Sequence, residues 1–178
     1  MEIIKTDING LTIRINKVVK DNRGFLAELA PLGTGDPFLK SGVKNVYVSV
    51  ASKKHIPRAG CLHNKTIENF YTLSGTALWI FWDSRSTSPT FNKVFTVILG
   101  SKAPSMARDP FYTIDESKMA HVYVPTGVYH TFLPLTDEPV TVLAMSSHQY
   151  DESDYKKADL KLIPNIKEKL DEYGIVIK

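Results

Sequence analysis

What the chain has little of narrows its class first. Its 178 residues include one cysteine, Cys61, so no internal disulfide can form, which fits a reducing compartment. No apolar run approaches the roughly 18 residues that mark a membrane span. The opening Met1-Glu2-Ile3-Ile4-Lys5 has no apolar core of an export signal. These absences predict a cytoplasmic chain with no membrane contact. Charge of one sign is also scarce: 22 Lys and Arg against 19 Asp and Glu leave a formal net charge of +3. That is too small for the electrostatic footprint of a nucleic-acid binder. With 43% hydrophobic and 23% charged residues, the composition is that of an ordinary globular protein and excludes low-complexity, collagen-like and coiled-coil chains. The length predicts a single domain over 1–178, with its core over about 11–150 and an extension over 151–178. A chain of this size buries roughly 70% of its unfolded surface and needs no staples.

Helix signals are scarce until the end. Pro164-Asn165 offers a cap, Ile166, Leu170 and Tyr173 recur at helical spacing, and Gly174 closes the segment. This predicts a surface helix over 163–173 and a short final strand Ile175-Val176-Ile177. Strand signals fill the rest. Val46 to Val50, Phe70 to Leu73, Thr76 to Phe81, Val94 to Leu99, Val122 to Val124 and Val140 to Met145 are rich in β-branched and aromatic residues. Each is short and bounded by turn residues. Leu11 to Ile15 alternates with period two, and Ser74-Gly75 reads as a hairpin turn. The stretch from Gly100 to Ser117, with Lys102, Pro104, Arg108, Asp109 and Pro110, reads as a long polar loop, either a lid or an insertion. Many short strands joined by turns predict an all-β sandwich or barrel.

Two stretches carry candidate chemistry. The first is Cys61-Leu62-His63-Asn64-Lys65-Thr66-Ile67-Glu68, with Gly75 following; the second is Pro125-Thr126-Gly127-Val128-Tyr129-His130. Together they resemble the two motifs of the cupin superfamily of jelly-roll barrels. The second motif is complete, and in the first Cys61 stands where a histidine would. Further pieces narrow the resemblance: Asp21-Asn22-Arg23-Gly24-Phe25 with Glu28, Asn45 to Ser49, Leu73-Ser74-Gly75, Asp83-Ser84-Arg85, Ser88-Pro89-Thr90-Phe91 and Gly127 to Phe132. In that order, from about Asp21 to Tyr150, they resemble the dTDP-4-dehydrorhamnose 3,5-epimerase family, the RmlC-like cupins.

The resemblance implies a jelly-roll barrel with a short C-terminal helix, a homodimer, and an isomerase of carbohydrate biosynthesis acting on a nucleotide-linked 4-keto-6-deoxy sugar. The ketone acidifies its neighbouring carbons and a histidine, with a pKa near 6.5, takes and returns the proton. By motif position His63 is that base, with Asp83 and His130 beside it. Arg23, Glu28, Asn45, Arg58, Glu68 and Tyr129 are the substrate-binding candidates, and no cofactor is required.

Four departures from the family pattern bear on this. Gly60 replaces the arginine that grips the diphosphate, leaving Arg58 as substitute. The family's acid tyrosine falls at Leu143 or Ala144, leaving water, Tyr71 or Tyr129. The carboxylate that orients the base falls in a C-terminal region that does not align. Finally, Glu68 stands where the family has a lysine beside the developing enolate. Two like charges 4 Å apart at an effective dielectric of 20 repel by about 4 kcal/mol, roughly a thousandfold in rate. A divalent transition metal held by Cys61, His63, Glu68 and His130 would reverse that sign, and so defines a second reading, a metal-dependent cupin. A third is a sugar-binding homologue without turnover.

Each feature also has a plainer reading. Glu68 fits a strand edge, paired with Lys65 in solvent. Cys61 fits a small buried apolar residue. Asp83 and Arg85 fit a surface pair, Asp21 to Gly24 a hairpin turn, and Asp151 to Lys157 a solvated face. His55, His121 and His148 have no partner spacing.

Overall fold

The computed structural model describes residues 2–29, 37–102, 108–113 and 117–176. Their strands form two sheets. One contains β1 (Glu2–Lys5), β2 (Thr12–Asp21), β3 (Gly24–Ala27), β4 (Asn45–Ala51), β6 (Glu68–Ser74), β10 (Lys118–Val124) and β12 (Val140–Ser146). The other contains β5 (Arg58–His63), β7 (Thr76–Asp83), β8 (Val94–Gly100), β9 (Phe111–Thr113), β11 (Val128–Pro134) and β13 (Tyr155–Lys157). In the first sheet the order is β1-β2-β10-β6-β12-β4, with β3 paired to β2. In the second it is β13-β5-β11-β7-β8-β9. Two facing sheets with this crossing connectivity make a jelly roll, not one closed barrel. Two short helices, α1 (Pro37–Ser41) and α2 (Ile166–Asp171), complete the described elements apart from a 3-10 turn at Leu160–Leu162.

Burial explains the sequence pattern. Trp79 and Phe81 of β7 point between the sheets and meet Phe70, Val122, Phe132 and Val142. The Trp79 indole N–H donates across the gap to Thr72 Oγ1 at 3.0 Å. The alternate residues Leu78 and Ile80 point outward, beneath Ile163, Ile166 and Leu170 of the C-terminal segment. A strand buried on both faces loses the period-two signature. That is why β7 reads as one continuous apolar run.

Several expectations change in the folded chain. Ser74-Gly75 is no hairpin turn, because β6 and β7 lie in different sheets. Gly75 is where the chain crosses, with φ +73°, and a Cβ there would lie 2.6 Å from the Pro139 carbonyl oxygen. The stretch after Gly100 contains a strand: β9 pairs parallel to β8, and Asp109 accepts from Thr96 Oγ1 at 2.6 Å and from Lys169 Nζ at 2.7 Å. Residues 103–107, including Pro104, and 114–116 lie outside the described residues. The predicted helix shortens to α2, and Asn165 gives it no side-chain cap. Gly174, with φ +66°, does end it. Ile175 and Val176 are not strand, and Ile177 is outside the described residues.

Asp83 ends β7 and organises the corner that follows. Its carboxylate accepts from Arg85 Nε at 2.7 Å, Arg85 Nη2 at 2.8 Å, and the hydroxyls of Ser88 and Thr90 at 2.6 Å each. The Ser-Pro-Thr-Phe stretch therefore has a structural use. Burial pushes the Asp83 carboxyl up, but the bonds from Arg85, Ser88 and Thr90 outweigh it and hold its pKa well below the usual carboxylate range. A depressed folded-state pKa contributes stability that is present above the unfolded value and lost as pH falls through the folded one. Urea unfolding should show stability declining below about pH 4. Asp83→Asn should flatten that acid limb and, by removing the charge that faces Arg85 while its bond to the Asn9 carbonyl remains, lower stability at pH 7 by about 3 kcal/mol.

Candidate active site

Adjacent strands bring the two motifs together. β5 and β11 pair antiparallel with His130 opposite Cys61. The two-residue spacing in β5 sends Cys61 and His63 to the same face. The Gly127 N–H donates to the His63 carbonyl at 2.6 Å, tying the second motif's turn to the end of β5. From the facing sheet, β6 contributes Glu68 and Phe70, and β4 contributes Asn45, Tyr47 and Ser49. All line a cavity of about 590 Å³ between the sheets, within the usual size range of small-molecule sites.

The two imidazoles stack with ring centroids 5.9 Å apart and planes 21° apart. Cys61 Sγ lies 3.5 Å from His130 Nε2 and 4.0 Å from His63 Nε2. Glu68 Oε2 lies 3.2 Å from His130 Nε2 and 3.5 Å from His63 Nε2, while Glu68 Oε1 accepts from the Tyr47 hydroxyl at 2.9 Å. Glu68 is thus buried and faces inward, not at a solvent edge with Lys65.

Behind His63 sits a residue that the charge pattern hid. Asp154 is buried, although it belongs to a run that reads as a solvated face. Its Oδ1 accepts from the backbone N–H groups of Asn64 and Lys65 at 2.8 Å each, and its Oδ2 accepts from Thr66 N at 3.1 Å and Thr66 Oγ1 at 2.8 Å. The same Oδ2 lies 3.5 Å from His63 Nδ1. On the other ring, His130 Nδ1 faces the Val128 carbonyl oxygen at 3.2 Å. Both rings therefore carry their Nδ1 acceptor on the outside and aim Nε2 into the cavity.

This arrangement sets the charges. Burial alone pushes Cys61 up, but the charge and hydrogen bond of His130, joined by those of His63, together outweigh it and lower the thiol well below its ordinary pKa. Burial pushes His130 down, and the negative Cys61 and Glu68 more than offset it, so this imidazole stays protonated well above its ordinary range. His63 is likewise raised, burial being outweighed by Cys61 and Glu68. Glu68 is lowered, its burial outweighed by His130 and then His63 and Tyr47. Asp154 is lowered too, its burial outweighed by the hydrogen bonds from the 64–66 turn.

Of the sequence candidates, His63, His130, Cys61, Glu68, Asn45 and Arg58 line the cavity. Arg58 stands at its mouth, its Nε donating to Ser49 Oγ at 2.8 Å. The others do not reach it. Asp83 is committed to its corner. Arg23 is exposed and paired with Asp21 in the β2–β3 turn. Glu28 is exposed, its carbonyl accepting from Asn16 Nδ2 at 2.9 Å. Tyr129 points to the opposite side of β11, against Trp82, because alternate strand residues face alternate sides. Tyr71 stacks on buried His121 at 4.4 Å. Neither tyrosine can serve as the missing acid. The cavity's own phenols are Tyr47, Tyr150 and Tyr155. Tyr155 sits edge-on to His63 with centroids 5.6 Å apart, and burial and then the Cys61 charge push its pKa up to about 12. The only sequence signal for Tyr47 was its position two residues from Asn45 and Ser49 on one strand face.

The architecture can be compared with known proteins. No protein-family model matches the sequence, and no curated protein matches it. Solved structures do. The rmlC epimerase of Mycobacterium tuberculosis superposes with a TM-score of 0.68 at 22% identity, covering 88% of this chain and 72% of that one. Legionella pneumophila RmlC, a dTDP-6-deoxy-D-glucose-3,5-epimerase in complex with dTDP-4-keto-L-rhamnose, gives 0.70 at 20% identity over 93% and 80%. ChmJ, a 3'-monoepimerase from Streptomyces bikiniensis in complex with dTDP-quinovose, gives 0.67 at 22% identity over 90% and 75%. The chain has the RmlC-like cupin fold. At these identities the likeness concerns the fold; the chemistry of the cavity rests on its own residues.

Because Glu68 holds both imidazoles toward their protonated forms, Glu68→Gln should lower the titration midpoints of His63 and His130. Ring-proton NMR across pH 5–9 checks this, and unchanged midpoints would place the carboxylate outside their field.

Proposed function

We propose that the protein is an isomerase that acts on a nucleotide-linked 4-keto-6-deoxy sugar, with His63 as the base. The observation that carries this reading is the His63 ring, with Nδ1 toward buried Asp154 and Nε2 toward the cavity. In that orientation an Nδ1–H is held by the carboxylate and the Nε2 lone pair is free to accept a carbon-bound proton. The pair of electrons left behind moves to the ketone oxygen. A second group then protonates that carbon from the opposite face, which inverts the centre, and the proton on Nε2 passes to solvent to restore the base.

Glu68 would oppose that enolate if it stood alone. His130 answers it: a protonated imidazole 3.2 Å from the carboxylate brings the positive charge that the family pattern assigns to lysine. Charge developing on the ketone oxygen then meets the His130 cation as well as the carboxylate, and the cation offsets the repulsion from Glu68. Tyr155, beside His63, is the phenol we assign as proton donor in place of Tyr71 or Tyr129. Arg58 and Lys157, both at the cavity wall, supply positive charge for a diphosphate in the absence of an arginine at Gly60. Asn45 adds an amide for the sugar hydroxyls.

We also infer a cytoplasmic homodimer. Tyr47 and its neighbours Asn45 and Ser49 face the cavity, while Val46, Val48 and Val50 of the edge strand β4 lie on its outer side, 54%, 59% and 45% exposed. An apolar row on an edge strand is a surface that natural proteins cover. In light scattering the wild type should have twice the chain mass, and Val48→Glu should shift it to the monomer with the fold retained.

The catalytic reading is tested by incubation with dTDP-4-keto-6-deoxyglucose in deuterium oxide. Deuterium should enter a carbon next to the ketone, and His63→Ala should slow this by about a hundredfold or more. If the sugar nucleotide raises the melting temperature but no deuterium enters, the protein binds without turnover and the isomerase reading fails.

A further inference from the structure

Glu68 faces both imidazoles, so the side chain that holds Glu68 decides how they share it. Its Oε2 lies 3.2 Å from His130 Nε2 and 3.5 Å from His63 Nε2. Only the first separation is within the usual N–H···O range, and this oxygen has no hydrogen bond of good geometry. Oε1 accepts from the Tyr47 hydroxyl at 2.9 Å. Among the described residues, that phenol is the only donor that fixes the carboxylate with good geometry. We propose that Tyr47 is a positioning residue: by anchoring Glu68 beside His130, it keeps the carboxylate from capturing His63 and leaves His63 Nε2 open to the substrate. This role rests on the isomerase reading above.

The sheet gives Tyr47 its reach. It stands on the edge strand β4, and β12 separates β4 from β6. Neighbouring strands are about 4.8 Å apart, so the contact between Tyr47 and Glu68 spans about 10 Å of sheet. The residue crossed is Ala144, which pairs with Tyr47 on one side and with Phe70 on the other. Ala144 is wholly buried, and its single methyl leaves the path open. Burial and then the Glu68 charge push the Tyr47 phenol far above its ordinary pKa, so it stays a donor.

The consequence falls on the base. A carboxylate released from Tyr47 replaces the lost bond most readily with an N–H of His63, as an ion pair. That requires the imidazolium, which cannot accept a carbon-bound proton. Cys61 Sγ at 4.0 Å from Nε2 and Asp154 Oδ2 at 3.5 Å from Nδ1 pull the same way. The His130 charge opposes them, and so does the bond from Tyr47.

Tyr47→Phe removes one oxygen and keeps the ring; circular dichroism checks its fold. In deuterium exchange into dTDP-4-keto-6-deoxyglucose, kcat should fall about tenfold while KM stays within about twofold. In a Glu68→Gln background the same substitution should change kcat by less than about twofold, because the group through which Tyr47 acts is gone. An equal loss in both backgrounds, or a loss carried by KM, would make Tyr47 a substrate contact and overturn the proposal. A second readout needs no turnover. At neutral pH the nitrogen-15 signals of the His63 ring should move toward the imidazolium in Tyr47→Phe, with no such change between Glu68→Gln and the double variant. An unmoved His63 ring in Tyr47→Phe overturns the proposal whatever the substrate. Wild type that exchanges no deuterium, with the ring responding as expected, removes the isomerase reading and leaves the link from Tyr47 through Glu68 to His63 standing.

Discussion

The site depends on one buried carboxylate. Between β5 and β6 the chain must leave one sheet for the other, and the N–H groups of Asn64, Lys65 and Thr66 have no strand to bond. Asp154 takes all of them, together with the Thr66 hydroxyl. Without it, three donors would be left unpaired in a partly buried turn, each at about 1–3 kcal/mol. The carboxylate that fixes this turn also faces His63 Nδ1, so the connection between sheets and the aim of the imidazole are set by the same group. Fold and chemistry meet at that point.

Around it the cavity floor is a small electrostatic cluster. Glu68 and the Cys61 thiol would be costly to ionise alone in that setting, and His130, almost wholly buried, would be costly to protonate alone. Together they stabilise one another, and each removes the burial penalty of its neighbour. Such clusters are more characteristic of functional sites than of cores. The apolar layer of Phe70, Trp79 and Phe132 beneath His130 strengthens these interactions by keeping water from one side.

Much of the architecture is legible in the sequence where strands are long and apolar: β4, β6, β7, β8 and β12 stand close to where their β-branched runs place them. β5 is not, because Arg58-Ala59-Gly60-Cys61 carries almost no strand signal; its pairing with β11 and β13 holds it. The crossing at Gly75 reads as a hairpin in the sequence because a glycine at positive φ serves both purposes. In the site, the motif positions identify His63, His130 and Glu68. Tyr129 and Asp83 lie near them in sequence yet face elsewhere, since strand alternation turns one away and Arg85, Ser88 and Thr90 hold the other. Asp154 is hidden because its partners are three backbone N–H groups, a hydroxyl and an imidazole, none of which leaves a mark on a charge pattern.

The most direct test of the account is the tautomer and activity of His63 in Asp154→Ala. By nitrogen-15 NMR the wild-type ring should be protonated at Nδ1 whether neutral or charged. In the variant the neutral ring should lose that preference, and solvent-deuterium exchange into the keto sugar should fall with the circular dichroism spectrum preserved. A variant that keeps both the Nδ1–H tautomer and the wild-type exchange rate would contradict the account.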